Sequence, residues 1–201
     1  MDPTSIDFYF DYSSPYGYFS AMMIDGLAAR HGRNVNWKPI LLGAVFKVTG
    51  GRPLPTLPLK GNYSKRDMAR SACFHNIEFN FPSRFPIATQ APARAFYWVN
   101  QRDPVLAREL AKALYRAYFV ADRDISSPDV TADVATTQGL RRDDVLAALN
   151  DAGVKDKLRI EVDAAIECGV FGSPYIVIDG EPFWGVDRFD QIERWLDKGP
   201  F

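Results

Sequence analysis

The residues best placed to do chemistry lie near the start of the chain. Ile6-Asp7-Phe8-Tyr9-Phe10 reads as a strand, and Ser13-Ser14-Pro15 leads from it straight into a helical pattern. Proline suits a first helical position, where its missing N–H would be unpaired anyway, so Ser14 falls at the N-cap. Free backbone donors and the positive end of the helix dipole converge there, a place that stabilises an anion. A thiolate is such an anion. A serine before a proline-started helix is usually a cap and nothing more, so the chemical reading needs further support. Two stretches far along the chain supply it. In Val170-Phe171-Gly172-Ser173-Pro174 the proline cannot donate to a sheet ladder, so it must open the strand that follows; a cis Ser173–Pro174 bond is compatible with that place. After an Asp179-Gly180 turn and a short strand over residues 181–184, Trp184-Gly185-Val186-Asp187-Arg188 runs into a terminal helix.

The elements that must position these residues follow from periodicity. A strand over 6–10 is followed by a helix from Pro15 to about Ala29 that stops at His31-Gly32, then by a second strand over 35–41. The helix between them returns the chain for parallel pairing. Residues 43–92 hold prolines, glycines and short helical pieces, with a helix over 62–75. Further helices are expected over 91–100, 104–120, from Pro128 (capped by Ser127) to about Gln138, over 141–151 ended by Gly153, and over 154–169. Strand, Ser-Pro helix, a long helical middle, then Pro-strand, hairpin and helix is the thioredoxin order of elements.

Phe8-Tyr9-Phe10-Asp11, Ser14-Pro15-Tyr16, Lys47, Phe171-Gly172-Ser173-Pro174 and Trp184-Gly185-Val186-Asp187-Arg188 occur here in the order seen in one family. The chain resembles the DsbA-like branch of the thioredoxin superfamily, and within it the 2-hydroxychromene-2-carboxylate isomerases, next to kappa-class glutathione transferases. The resemblance covers almost the whole chain. It implies an α/β, thioredoxin-like fold built from residues 1–42 and 154–201, with an all-helical domain over 43–153 inserted between the halves. Disulfide oxidoreductases of this branch carry Cys-x-x-Cys where this chain has Ser14 to Gly17, so dithiol chemistry at that helix start is excluded.

The resemblance also implies glutathione as cofactor. The backbone of Ser173 would pair with the extended tripeptide, and Pro174 would keep that backbone aimed. Asp187 would take the γ-glutamyl ammonium, and backbone donors of Trp184, Gly185, Val186 and Asp187 its carboxylate. Arg188 either touches the ligand or locks Asp187 or the fold. Ser14 would donate one hydrogen bond to the glutathione thiolate, activating a cofactor nucleophile rather than attacking itself. The reaction implied is conversion of 2-hydroxychromene-2-carboxylate to trans-o-hydroxybenzylidenepyruvate by thiolate addition, bond rotation and elimination, as in naphthalene and other aromatic catabolism. Lys47 matches the cation that would hold the carboxylate of this small aromatic substrate; a solvent-facing lysine is the competing reading. Asn62 and Tyr63, with Arg52 and Arg84, are looser candidates for the same pocket. Phe85 stands where several relatives carry a tyrosine, which leaves the substrate open.

Composition narrows the classes. A net charge of −1 and a pI near 6.1 argue against nucleic acid or an anionic membrane as partner. No run approaches a membrane span, and no secretory signal pattern opens the chain, so a cytoplasmic location is expected. Two cysteines, Cys73 and Cys168, make no disulfide scaffold and read as buried, inert thiols. His31 reads as a helix terminus and His75 as a surface or core polar group; neither offers a base to Ser14, and no metal-ligand spacing is present. Relatives suggest a homodimer. The competing functions are a kappa-type glutathione transferase or peroxidase, and a non-catalytic thioredoxin-like binding module.

Overall fold

In the computed structural model, which describes residues 5–201, the aromatic first segment is β1 (Ser5–Phe10). Its side chains alternate, and Phe8 and Phe10 are wholly buried against Trp37 at ring separations of 5.1 and 5.4 Å. β1 pairs in parallel with β2 (Asn34–Pro39) and antiparallel with β3 (Tyr175–Ile178), which pairs antiparallel with β4 (Glu181–Trp184). The sheet order is β2-β1-β3-β4. The β3–β4 hairpin turns on Asp179 and Gly180, both at positive φ as a two-residue Asp-Gly turn requires.

The parallel β1–β2 pair is joined by α1 (Pro15–Arg30). Between β2 and β3 come α2 (Leu42–Thr49), α3 (Lys60–Phe74), α4 (Gln90–Asn100), α5 (Pro104–Phe119), α6 (Pro128–Thr136), α7 (Arg142–Asn150) and α8 (Ala152–Glu167); α9 (Phe189–Lys198) closes the chain. This is the thioredoxin-like fold with a helical insertion. α1 touches the sheet on one side and α3 and α5 on the other. Tyr18 of α1 stacks on Phe119 of α5 at 5.5 Å, so one aromatic core runs from the sheet into the inserted helices.

Three local expectations are corrected. β2 stops at Pro39 rather than residue 41, because the Leu42 amide donates to the Asp11 carboxylate at 2.7 Å and begins α2. Gly153 does not end a helix: Asp151 closes α7 and also caps α8, its carboxylate accepting from the Val154 amide at 2.9 Å, and Gly153 lies in the first turn of α8. Cys73 and Cys168 are exposed, not buried. Each sits at a helix end, where its side chain turns away from the packed face.

Candidate active site

Ser14 is the N-cap of α1, with φ −96° and ψ 113°, and is 5% exposed. Its Oγ accepts from the Gly17 amide at 3.0 Å, and its hydroxyl donates to the Ser173 carbonyl at 2.9 Å. The Ser173–Pro174 bond is cis. Ser173 Oγ accepts from the Asp11 amide at 2.9 Å, and the Pro174 carbonyl accepts from the Gly185 amide at 3.2 Å. The helix start therefore meets the Ser-Pro loop through the hydroxyls of Ser14 and Ser173, and that loop meets the turn after β4 through a main-chain bond. Gly17 permits the approach: a Cβ there would lie 2.7 Å from Ser173 Oγ and 2.9 Å from the Tyr115 hydroxyl. Gly172 is needed in the same way, since a Cβ would strike the indole nitrogen of Trp184.

Trp184 is 56% exposed at the end of β4, its ring 4.9 Å from that of Phe171. Gly185 follows at φ +110°, where a side chain would be strained. Val186 is buried. Asp187 lies in the 3-10 turn Val186–Arg188, exposed and bonded to the Arg188 guanidinium at 2.8 Å.

The remaining candidates are held less firmly. Lys47 stands in the last turn of α2, exposed and without an ion pair among the described residues. Asn62 and Tyr63 lie in the first turn of α3, both exposed, with the Arg70 guanidinium 5.8 Å from the Tyr63 ring. Arg52 is exposed in the loop after α2. Arg84 pairs with Asp124 at 2.6 Å, directed to the α5–α6 connection. Phe85 is half-buried against Phe81 at 5.1 Å. Its loop reaches the helix start through the Ile87 amide, which donates to Ser13 Oγ at 3.2 Å.

His31 closes the far end of α1, 3.4 Å from Asp197 of α9, and His75 closes α3. Neither approaches Ser14, whose partners are all main-chain groups. A cavity of about 270 Å³ lies elsewhere, between β2 and helices α4, α5 and α8. Its lysines Lys38 and Lys157 are already paired with Asp7 and Glu161 at 2.9 and 2.6 Å.

Two residues of the site had no assigned role in the sequence. Tyr16, in the first turn of α1, donates its hydroxyl to Asp67 of α3 at 2.6 Å; burial and that carboxylate hold its phenol well above the ordinary value. Asp11 is 2% exposed directly beneath the turn. The Ser14-Pro15-Tyr16 motif flagged Tyr16, but nothing in the sequence pairs it with a residue 51 positions away.

Residues 5–197 match the model of the DSBA-like thioredoxin domain. The chain belongs to the DsbA-like thioredoxin family. Among DsbA-like relatives it is 28% identical over 211 residues to glutathione S-transferase kappa 2 of Caenorhabditis elegans, covering 97% of this chain and 94% of that protein. It is 27% identical over 195 residues to 2-hydroxychromene-2-carboxylate isomerase of Sphingobium xenophagum, covering 96% and 97%. A solved 2-hydroxychromene-2-carboxylate isomerase superposes with a TM-score of 0.87 at 25% identity, over 96% of this chain and 95% of that one.

Proposed function

We propose that this DsbA-like protein is a glutathione-dependent isomerase that converts 2-hydroxychromene-2-carboxylate, or a close aromatic analogue, to trans-o-hydroxybenzylidenepyruvate. The observation that carries the reading is Ser14 Oγ at the N-cap of α1, 2.9 Å from the carbonyl of the cis Ser173–Pro174 loop. The donor set suits the tripeptide: an anion-favouring helix start for sulfur, an extended backbone edge at Ser173, and the adjoining carboxylate and guanidinium of Asp187 and Arg188 for a zwitterionic end. Bound glutathione supplies the thiolate that adds to, and later leaves, the conjugated carbon.

The protein's own groups then have separable tasks. Ser14 has one proton, given to the Ser173 carbonyl at 2.9 Å. Turning that proton toward sulfur strengthens the anion-favouring field and frees the Ser173 carbonyl for the ligand's main chain. The Gly17 amide keeps donating to Ser14 Oγ at 3.0 Å, which polarises the hydroxyl as a donor. Pro174 and the amides of Trp184, Gly185 and Val186 shape the peptide cradle. Asp187 binds the ammonium, Lys47 holds the substrate carboxylate, and Asn62, Tyr63 and Phe85 wall the aromatic ring.

The reading includes residues 1–42 with 154–201 as one domain and 43–153 as the other, and a cytosolic homodimer. No helix among the described residues is long and apolar enough to cross a membrane; light scattering tests the dimer. A kappa-type transferase or peroxidase is the second reading, favoured by the 28% identity to a kappa enzyme. Ultraviolet monitoring of chromene-carboxylate with glutathione decides between them. Isomerised product with glutathione recovered unchanged supports the proposal; product carrying covalent glutathione supports the transferase. Failure of calorimetry to detect glutathione binding at millimolar concentration leaves a non-catalytic binding module.

A further inference from the structure

Beneath the helix start lies a buried acid to which the isomerase reading gives no task. The Asp11 carboxylate accepts from the Ser13 amide at 2.7 Å, from the Leu42 amide at 2.7 Å, and from the Thr89 hydroxyl at 3.1 Å. Its own amide donates to Ser173 Oγ at 2.9 Å. Its carbonyl accepts from the Ser14 amide at 2.9 Å and from the Tyr115 hydroxyl of α5 at 2.9 Å. One residue thus ties the β1–α1 turn to the Ser-Pro loop, the start of α2, the loop before α4, and α5.

We propose that the Asp11 carboxylate is a positioning residue: ionised, it clamps the start of α2 and the Thr89 loop against the β1–α1 turn, and so keeps Ser14 and Ser173 in register for the ligand. The proposal rests on the glutathione reading for its binding probe alone. Two main-chain amides aimed at the carboxyl oxygens from opposite elements fit an acceptor-only group, which an ionised carboxylate is and a carboxamide is not. Asp11 has no cation within ion-pair distance among the described residues, so the clamp is made of dipoles. Burial pushes its carboxyl up to about 6 against the pull of the three hydrogen bonds. The titratable groups facing it are the phenols of Tyr12 and, from α5, Tyr115 and Tyr118, each raised by burial and neutral in this range. From α2 and the Thr89 loop it meets an amide and a hydroxyl. Ser14 and Ser173 therefore sit on a support whose charge changes a little below neutrality.

The test compares wild type with Asp11→Asn, which must turn its NH2 toward either the Ser13 or the Leu42 amide. The probe is γ-glutamyl-alanyl-glycine, a glutathione analogue without a thiol, titrated calorimetrically from about pH 5 to about pH 8. Wild-type affinity is expected to fall several-fold toward acid with a midpoint near the Asp11 value of about 6. Asp11→Asn is expected to bind weakly and without that step, whereas a step due to His31 or His75 would persist in it. Amide exchange measured without ligand gives the second readout: at about pH 8, where the wild-type carboxylate is ionised and accepts from both amides, the β1–α1 turn and the start of α2 should exchange faster in Asp11→Asn. If both proteins show the same protection and the same pH step, the proposal is overturned. If wild type does not bind the analogue at any pH, the glutathione reading falls while exchange still decides the clamp. Should Asp11→Asn fail to fold, Thr89→Val keeps the carboxylate and removes one donor, so the midpoint of the binding step should move to higher pH; an unmoved midpoint overturns the proposal.

Discussion

At the start of α1 every polar group of Ser14 has a partner: its amide donates to Asp11, its carbonyl accepts from Tyr18, and its hydroxyl both accepts and donates. At the end of α2 the ammonium of Lys47 stands in solvent with no ion pair among the described residues, and Asn62 and Tyr63 one helix later are exposed as well. The first region is a floor set before any ligand arrives; the second is a rim whose long side chains must order on binding, at about 0.5–1.5 kcal/mol for each one immobilised. A reacting atom needs donors already in place. Recognition of a substrate's outer end tolerates groups that settle late. Under the proposed function, reaction rate belongs to the floor and substrate choice to the rim.

The most forceful way to break that contrast is Ser14→Ala. Losing one donor to a reacting anion in a water-excluded site costs about 2.7–4 kcal/mol in the barrier, or roughly 100- to 1000-fold in turnover. Steady-state kinetics should show that loss while glutathione binding, held mainly elsewhere, changes less. Removing the cap should also cost about 1 kcal/mol of stability. Turnover equal to wild type would show the floor to be scaffolding only.

The floor should also have a pH signature in stability. Asp11 is raised from 3.8 to about 6 by burial, so between those values the folded chain holds a proton that the unfolded chain has released. Stability from this group is therefore greatest at low pH and declines as pH rises through that window, by about 3 kcal/mol in all. Urea unfolding of wild type and Asp11→Asn across that range should give a difference curve of this slope and size. A flat difference would mean that burial does not hold the Asp11 carboxyl above its ordinary value.

Much of the floor was legible in the sequence, and little of how it is braced. Ser14-Pro15 announces a cap from local geometry, Pro174 announces a strand start, and Asp179-Gly180 announces a tight turn, because each is a short-range steric or hydrogen-bonding rule. The helices from α4 to α8 followed from apolar periodicity and from the Ser127 cap. The clamp at Asp11 and the Tyr16–Asp67 bond join residues 31 and 51 positions apart, and no local pattern in one sequence encodes such a partner. The rim was read from resemblance and remains the looser half. Arg84 shows why: a cation near the right place in sequence spends its charge on Asp124 at 2.6 Å.

Gly17→Ala sharpens the comparison next. Its Cβ would lie 2.7 Å from Ser173 Oγ and 2.9 Å from the Tyr115 hydroxyl, both held by their own hydrogen bonds to Asp11. Overpacking of this kind costs about 1–3 kcal/mol, despite the better helix propensity of alanine. Thermal unfolding should register the loss, and turnover should fall with it because Ser173 must move. An alanine of equal size at an exposed rim position should do neither.

The smallest effect is expected from Asp187→Asn, and its form matters more than its size. Asp187 is exposed and already shares its charge with Arg188 at 2.8 Å, so screening limits what it can contribute to a bound ammonium. An exposed pair is worth up to about 1 kcal/mol, or up to about fivefold in half-saturation for glutathione. Because its partner in the proposed complex is the end of the tripeptide remote from sulfur, that loss is common to ground and transition states, and turnover at saturating glutathione should stay near wild type. Salt near 1 M should reproduce part of the shift in wild type and little of it in the variant. A turnover loss comparable to that of Ser14→Ala would erase the division between floor and rim and place Asp187 beside the reacting atom.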